Sequence, residues 1–228
     1  MSSPLAVFGS INMDLVIYSN HKPDEGETIF GNSFETFQGG KGANQAVAVS
    51  RLGSNVSFIG KVGNDVFGKQ LQESLISESV NIEMLDSHEG ESGVAFINVF
   101  EDIVENQIIV VSGANAFVES QQVSKESLNQ IDILLSQLEV PPKQIEDLFI
   151  RAKGSCFRIL NTAPAVPISE ELLKNTDLLV MNETELETLS GETLESRNID
   201  SIISSIKGLS LKNYQSIIIT LGSQGVYV

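Results

Sequence analysis

Gln38-Gly39-Gly40-Lys41-Gly42-Ala43-Asn44-Gln45-Ala46-Val47-Ala48-Val49 runs a glycine cluster directly into a helix of small apolar residues. Glycines let backbone amides come close to a ligand, and the helix N-terminus adds a positive dipole. Lys41 would stand as a donor at the mouth of the turn. The same spacing serves a purely structural turn, in which small residues bring helix and sheet close together. It is not a Walker A loop, because Gly42 follows Lys41 where Ser or Thr is required, and no G-x-G-x-x-G fingerprint occurs elsewhere.

Outward from this helix, short apolar runs recur: Leu5 to Phe8, Val56 to Ile59, Ile133 to Leu135, Phe157 to Leu160, Leu178 to Met181 and Ile217 to Ile219. Each reads as a buried strand. Amphipathic stretches lie between them. After Pro141-Pro142, residues Ile145, Leu148, Phe149 and Ala152 fall at i, i+3, i+4 and i+7, and Gly154 is expected to end that helix. Strands alternating with helices predict an α/β layer fold with a mainly parallel sheet.

Residues 15–37 and 91–111 break the rhythm, as extended segments with no helix between them, and predict a small accessory sheet. In the second, Val94, Phe96 and Phe100 fall on one face, and Ala95, Ile97 and Val99 on the other. Apolar groups on both faces predict either a lid covered by another subunit or a strand buried within one chain.

The chain has 228 residues, 41% hydrophobic and 19% charged, a globular composition able to bury a sizeable core. A net charge of −16 disfavours nucleic acid and anionic membrane surfaces as partners. Cys156 is the only cysteine, so no intramolecular disulfide forms and a cysteine zinc site is implausible. Without a targeting pattern or a membrane-length apolar run, a cytoplasmic location is expected.

Polar candidates cluster where strands end, the edge at which open α/β sheets bind ligands. Asn12 and Asp14, two residues apart, point to one side of an extended backbone and suit a polyol: Asp accepts from hydroxyls, and Asn both donates and accepts. An Asx turn would use the same residues. Glu139 joins that rim or stands as a solvated loop carboxylate. Asn182 and Glu185 form either a helix-capping pair or an amide and carboxylate organising Mg²⁺ beside a nucleotide phosphate. Thr220 through Gly225 offers bare amides to a nucleotide or connects two strands. His21 and His88 are assigned surface or structural roles.

The segments GSINMD (9–14), GGKGANQAVA (39–48), SGANA (112–116), QLE (137–139), NTAPA (161–165), NETE (182–185) and TLGSQGV (220–226) resemble the ribokinase-like (pfkB) carbohydrate kinases in order and spacing across the whole chain. GGKGANQA leans to the ribokinases within that family. The resemblance implies a three-layer α/β/α sandwich with a mainly parallel sheet, and a β-sheet lid that pairs two subunits into a homodimer. It implies ATP-dependent phosphorylation of D-ribose at O5 to D-ribose 5-phosphate. Asn12, Asp14, Gly40, Lys41, Asn44 and Glu139 match sugar-contacting positions. Asn182 matches an ATP-contacting position, and Thr220, Gly222 and Gly225 the start of the nucleotide loop. Glu185 matches a carboxylate associated with Mg²⁺ through water, and K⁺ is expected in the complete fold.

One departure stands out. Family members continue to a GAGD segment that carries an anion hole and the catalytic base, and this sequence contains none. It therefore reads as the first three quarters or so of a kinase, with no catalytic residue present and almost no turnover expected of it alone, since a general base contributes about 10²–10⁴-fold. Ending on Val226-Tyr227-Val228, it is expected to aggregate or be marginally stable. Two other readings share the resemblance: a non-catalytic relic that binds sugar or pairs through its lid, and a kinase for deoxyribose, another sugar or a nucleoside.

Overall fold

The computed structural model describes residues 5–102, 105–194, 199–209, 211–212 and 215–228. Eight strands form the main sheet: β1 (Leu5–Phe8), β4 (Val56–Gly63), β5 (Asn81–His88), β8 (Ile133–Gln137), β9 (Phe157–Asn161), β10 (Leu178–Asn182), β11 (Ser216–Thr220) and β12 (Val226–Tyr227). Their order is β12-β11-β10-β9-β8-β1-β4-β5. Every pairing is parallel except that of β11 with β12.

Alternation along β1 explains the layering. Ala6 and Phe8 face one apolar cluster and Val7 the other, and all three are fully buried. Helices α1 (Lys41–Arg51) and α2 (Val66–Ser77) cover the Val7 face through Ala43, Ala46, Leu71 and Leu75. Helices α3 (Lys125–Leu128), α4 (Pro142–Arg151), α5 (Glu170–Lys174), α6 (Glu183–Ser190) and α7 (Ile199–Gly208) cover the Phe8 face. This is the expected three-layer α/β/α sandwich with a mainly parallel sheet, sealed on both sides as a parallel sheet requires. Helix α4 begins at Pro142, buries Ile145, Leu148 and Phe149, and ends at Arg151; Gly154, at φ 83°, lies in the turn beyond it.

The accessory sheet is also present. Strands β2 (Asn12–Ser19), β3 (Ser33–Gly39), β6 (Gly93–Phe100) and β7 (Glu105–Val111) run in the order β3-β2-β6-β7. Residues 103–104 of the segment expected over 91–111 lie outside the described residues. The pair β2–β6 is parallel, and both outer pairs are antiparallel. Burial is uneven across it: Ala95 and Phe100 are buried within the chain, whereas Phe34, Phe96 and Ile109 on one face and Phe37, Ile108 and Val110 on the other are exposed.

The root of β6 is fixed to the main domain. Asp65 caps α2 by accepting from the Gly68 amide at 2.6 Å, and accepts from the Ser92 amide and hydroxyl at 2.8 and 2.7 Å. Burial pushes the Asp65 carboxyl upward, but these hydrogen bonds outweigh it and hold the pKa below the ordinary value.

Candidate active site

The short connection between β1 and β2 places Ser10, Ile11 and Asn12 against the start of α1, and all three are buried. A Cβ on Gly40 would lie 2.7 Å from the Ile11 Cα, and one on Gly42 would lie 2.7 Å from the Ser10 nitrogen. Gly40 also holds φ at 92°, so position 40 needs glycine twice over. The glycine run therefore performs the close-packing role.

The amides of residues 41–43 are not free for an anion. The Lys41 amide donates to Glu139 Oε2 at 3.0 Å, the Gly42 amide to Ser10 Oγ at 3.4 Å and the Ala43 amide to the Ser10 carbonyl at 2.9 Å. Glu139, one residue past Leu138 after β8, thus caps α1 from 98 residues away, where its charge complements the helix dipole. Ser10 Oγ donates to the same Oε2 at 2.6 Å. The other oxygen, Oε1, is 3.7 Å from Lys41 Nζ. Lys41 and Glu139 line a cleft of about 560 Å³ with Ile108, Val110, Leu138 and Pro164, so strand β7 walls one side of it.

Asp14 packs over the bare Cα of Gly39, where a Cβ would lie 2.2 Å from Asp14 Oδ2. Its carboxylate has no hydrogen bond or ion pair among the described residues. Burial, and then the charge of Glu139, push its pKa above the ordinary value. An acceptor kept unpaired and partly desolvated is a binding feature, because such a group costs stability without a ligand. Asn12, on the same face of β2, offers its amide beside it. Asn44 sits differently: it is exposed on α1 and lines a smaller cleft with Gln38, Arg51 and Ser74, away from Lys41 and Glu139.

A second rim lies at the ends of β10 and β11. Asn182 Oδ1 accepts from the Glu185 amide, and Glu185 Oε2 from the Asn182 amide, both at 2.9 Å, so the pair forms a capping box on α6. Glu185 Oε1 keeps no partner among the described residues. Thr220 Oγ1 donates to the Met181 carbonyl at 3.4 Å. Gly222 and Gly225, at φ 55° and 96°, turn β11 into β12, and nothing lies within 4 Å of where their Cβ atoms would be. The segment is thus a strand-to-strand connection whose glycine faces are open.

The end of β9 joins the rims, a role for which neighbouring residues in sequence gave no signal. Gln45 Nε2 donates to Asn161 Oδ1 at 3.3 Å, and Gln137 Nε2 donates to Gln45 Oε1 at 2.5 Å. One residue on, Thr162 Oγ1 donates to Glu185 Oε2 at 3.4 Å. Ser10, Gln45, Gln137, Asn161 and Thr162 all lie inside the quoted segments, and only tertiary contact assigns them.

No group of three His, Cys, Asp or Glu side chains that could hold a metal occurs among the described residues. A single free carboxylate oxygen, on Glu185, fits a Mg²⁺ that arrives on nucleotide phosphates and retains water. His21 lies 3.4 Å from Glu27 and His88 stacks on Phe117, consistent with structural roles. Burial pushes the Cys156 thiol up to about 11, which keeps it from acting as a thiolate. No helix among the described residues is long and apolar enough to cross a membrane.

The family model for pfkB family carbohydrate kinases matches residues 3–228. The chain is 38% identical to a ribokinase of Haemophilus influenzae over 232 residues, covering all of this chain and 75% of that protein. It is 35% identical to a deoxyribokinase of Salmonella typhi, with 97% of this chain and 73% of the relative covered. Among solved structures, Arabidopsis thaliana ribokinase complexed with ribose and ATP superposes with a TM-score of 0.86 at 30% identity, covering 99% of this chain and 74% of that one.

Proposed function

From the premise that the chain belongs to the pfkB family of carbohydrate kinases, we propose that it serves the ATP-dependent phosphorylation of D-ribose at O5, yielding D-ribose 5-phosphate. The observation that carries this reading is the unpartnered, half-buried Asp14 carboxylate beside Glu139 and Asn12, an acceptor–donor set matched to adjacent sugar hydroxyls. Asp14 and Glu139 Oε1 accept from hydroxyls, while Asn12 and Lys41 donate. Gly40 lets the chain turn close to the sugar, whereas Asn44, which lines a separate cleft, stays outside this grip.

The nucleotide lies along the second rim, on Asn182, Thr220, Gly222 and Gly225, with its phosphates directed toward β9 and the sugar. Glu185, through its free Oε1, would hold a hydrated Mg²⁺, which would supply neutralisation of phosphate charge. Phosphoryl transfer depends chiefly on positioning and charge stabilisation, so this chain's own contribution is to seat O5 and the nucleotide on one sheet edge. The base and anion hole belong, by the resemblance, to a GAGD segment that this sequence does not contain. K⁺ belongs to the complete fold and is assigned to no residue here.

The four-stranded sheet serves as a lid over the cleft and pairs with a second copy into a homodimer, a reading supported by its exposed Phe96 and Ile109. A cytoplasmic location goes with this reading, since the reaction draws on ATP.

Titration calorimetry with D-ribose, 2-deoxyribose and a nucleoside, followed by ADP release with each, tests the proposal. Ribose should bind tightest. Tighter binding of deoxyribose, which the Salmonella typhi relative makes the first competitor, would replace the acceptor. Ribose binding without ADP release even by a chain completed with its GAGD segment would support the sugar-binding relic.

A further inference from the structure

Asn115 belongs to the SGANA segment, which the sequence leaves without a role. It sits in the 3₁₀ turn Gly113–Phe117 and is 1% exposed, beneath the junction of β1 and β2. Its Oδ1 accepts from the Ile11 amide at 3.0 Å, and its Nδ2 donates to the Ile11 carbonyl at 3.0 Å. Both main-chain groups of one residue grip one side-chain amide, which fixes which end of Asn115 is oxygen and which is nitrogen. The second hydrogen on Nδ2 then requires an acceptor, and Asn12 Oδ1 lies there at 2.7 Å.

That contact has a consequence for the sugar rim. With its oxygen drawn to Asn115, Asn12 must turn its NH₂ outward, where it has no partner among the described residues. Gly93 leaves room for the arrangement, since a Cβ there would lie 2.1 Å from Asn115 Nδ2 and 2.2 Å from Asn12 Oδ1. A rim that already holds the acceptors Asp14 and Glu139 thereby gains a fixed donor.

We propose that Asn115 is a positioning residue for sugar recognition: it locks the Asn12 amide so that Nδ2 donates to a ligand hydroxyl. The proposal rests on the sugar-kinase reading above. It links the 3₁₀ turn after the lid to the first strand of the lid, 103 residues apart.

A double-mutant cycle on D-ribose affinity, read by titration calorimetry on the purified protein, tests it. Asn115→Asp is isosteric but cannot donate; it draws the Asn12 NH₂ inward and turns its oxygen to the ligand. In the Asn12 background the dissociation constant should rise about tenfold, the size of one hydrogen bond lost in a desolvated site. In an Asn12→Ala background the same change should cost less than about threefold, because the amide it orients is gone. An equal penalty in both backgrounds would mean that Asn115 only holds the fold together, and would overturn the proposal while leaving the sugar-kinase reading intact. Absence of ribose binding by the unsubstituted protein would overturn both. Should Asn115→Asp fail to fold, Asn12→Asp decides: it keeps an oxygen toward Asn115 and replaces the outward donor by an acceptor. A loss of about tenfold is expected from the reversed polarity, and affinity within about threefold of the unsubstituted protein would overturn the proposal.

Discussion

The two sheets of this protein are written in similar residues and meet opposite fates. In the eight-stranded sheet, Ala6, Val7, Phe8, Phe58 and Leu134 are fully buried, because helices from the same chain cover both faces. In the four-stranded sheet, Phe34, Phe96, Ile108 and Ile109 remain exposed, although they are no less apolar. Hydrophobicity selects strands in both, but the supply of covering helices decides which sheet is sealed on both faces and which keeps apolar side chains exposed. The boundary between them runs through the polar residues Asn12 and Asp14, which begin β2.

Substitutions on either side should separate the two sheets. Phe8→Ala, at the centre of the main sheet, should cost about 3–5 kcal/mol in urea unfolding, through lost transfer energy and a cavity. A loss no larger than that of a surface residue would erase the distinction.

At the boundary, Asp14→Ala should raise the dissociation constant for ribose roughly 100-fold, about 2.7 kcal/mol, and leave that for ATP nearly unchanged. Collapse of ATP binding instead would exchange the two rims. The same carboxylate works against folding. Its pKa is raised in the folded state, so the folded protein holds that proton more tightly than the unfolded chain, and ionisation at neutral pH costs stability. Asp14→Asn should therefore raise the melting temperature at pH 7, with the gain fading as pH falls through the raised pKa and absent below the ordinary value of 3.8. A gain that persists in acid would mean the carboxylate is not strained by burial.

On the nucleotide rim, Glu185→Gln keeps an oxygen for the Asn182 amide and so preserves the capping box, with stability expected within about 0.5 kcal/mol. In a chain completed with its GAGD segment, turnover should nevertheless fall about tenfold if the charge acts on phosphate-bound Mg²⁺. Unchanged turnover there would reduce Glu185 to a helix cap. The smallest effect on folding belongs to the lid: Phe96→Ser should shift unfolding by no more than about 0.5 kcal/mol, yet weaken self-association measured by sedimentation. Marked destabilisation of the monomer would show that the lid belongs to the same core.

The alternation of strands and helices was legible because burial on both faces writes near-continuous apolar runs, as at Leu5–Phe8 and Leu178–Met181. The small sheet was legible for the opposite reason, a long extended stretch without helical period. The glycine run was read with two uses open, and the packing of Gly40 and Gly42 on Ser10 and Ile11 decides between them. Capping of α1 by Glu139 escaped the sequence because the contact spans 98 positions. Local caps, such as Asn182 with Glu185, are visible at a spacing of three.

The amino-acid sequence by itself determined the layers, the family and the polar residues at the strand ends, since periodicity and short motifs are properties of neighbouring residues. Tertiary structure alone decided what those residues do to one another. Only the folded chain leaves Asp14 unpaired, sets Glu139 on a distant helix, and turns the Asn12 amide outward through Asn115. Hydrogen bonds and desolvation depend on distances that the order of residues does not contain.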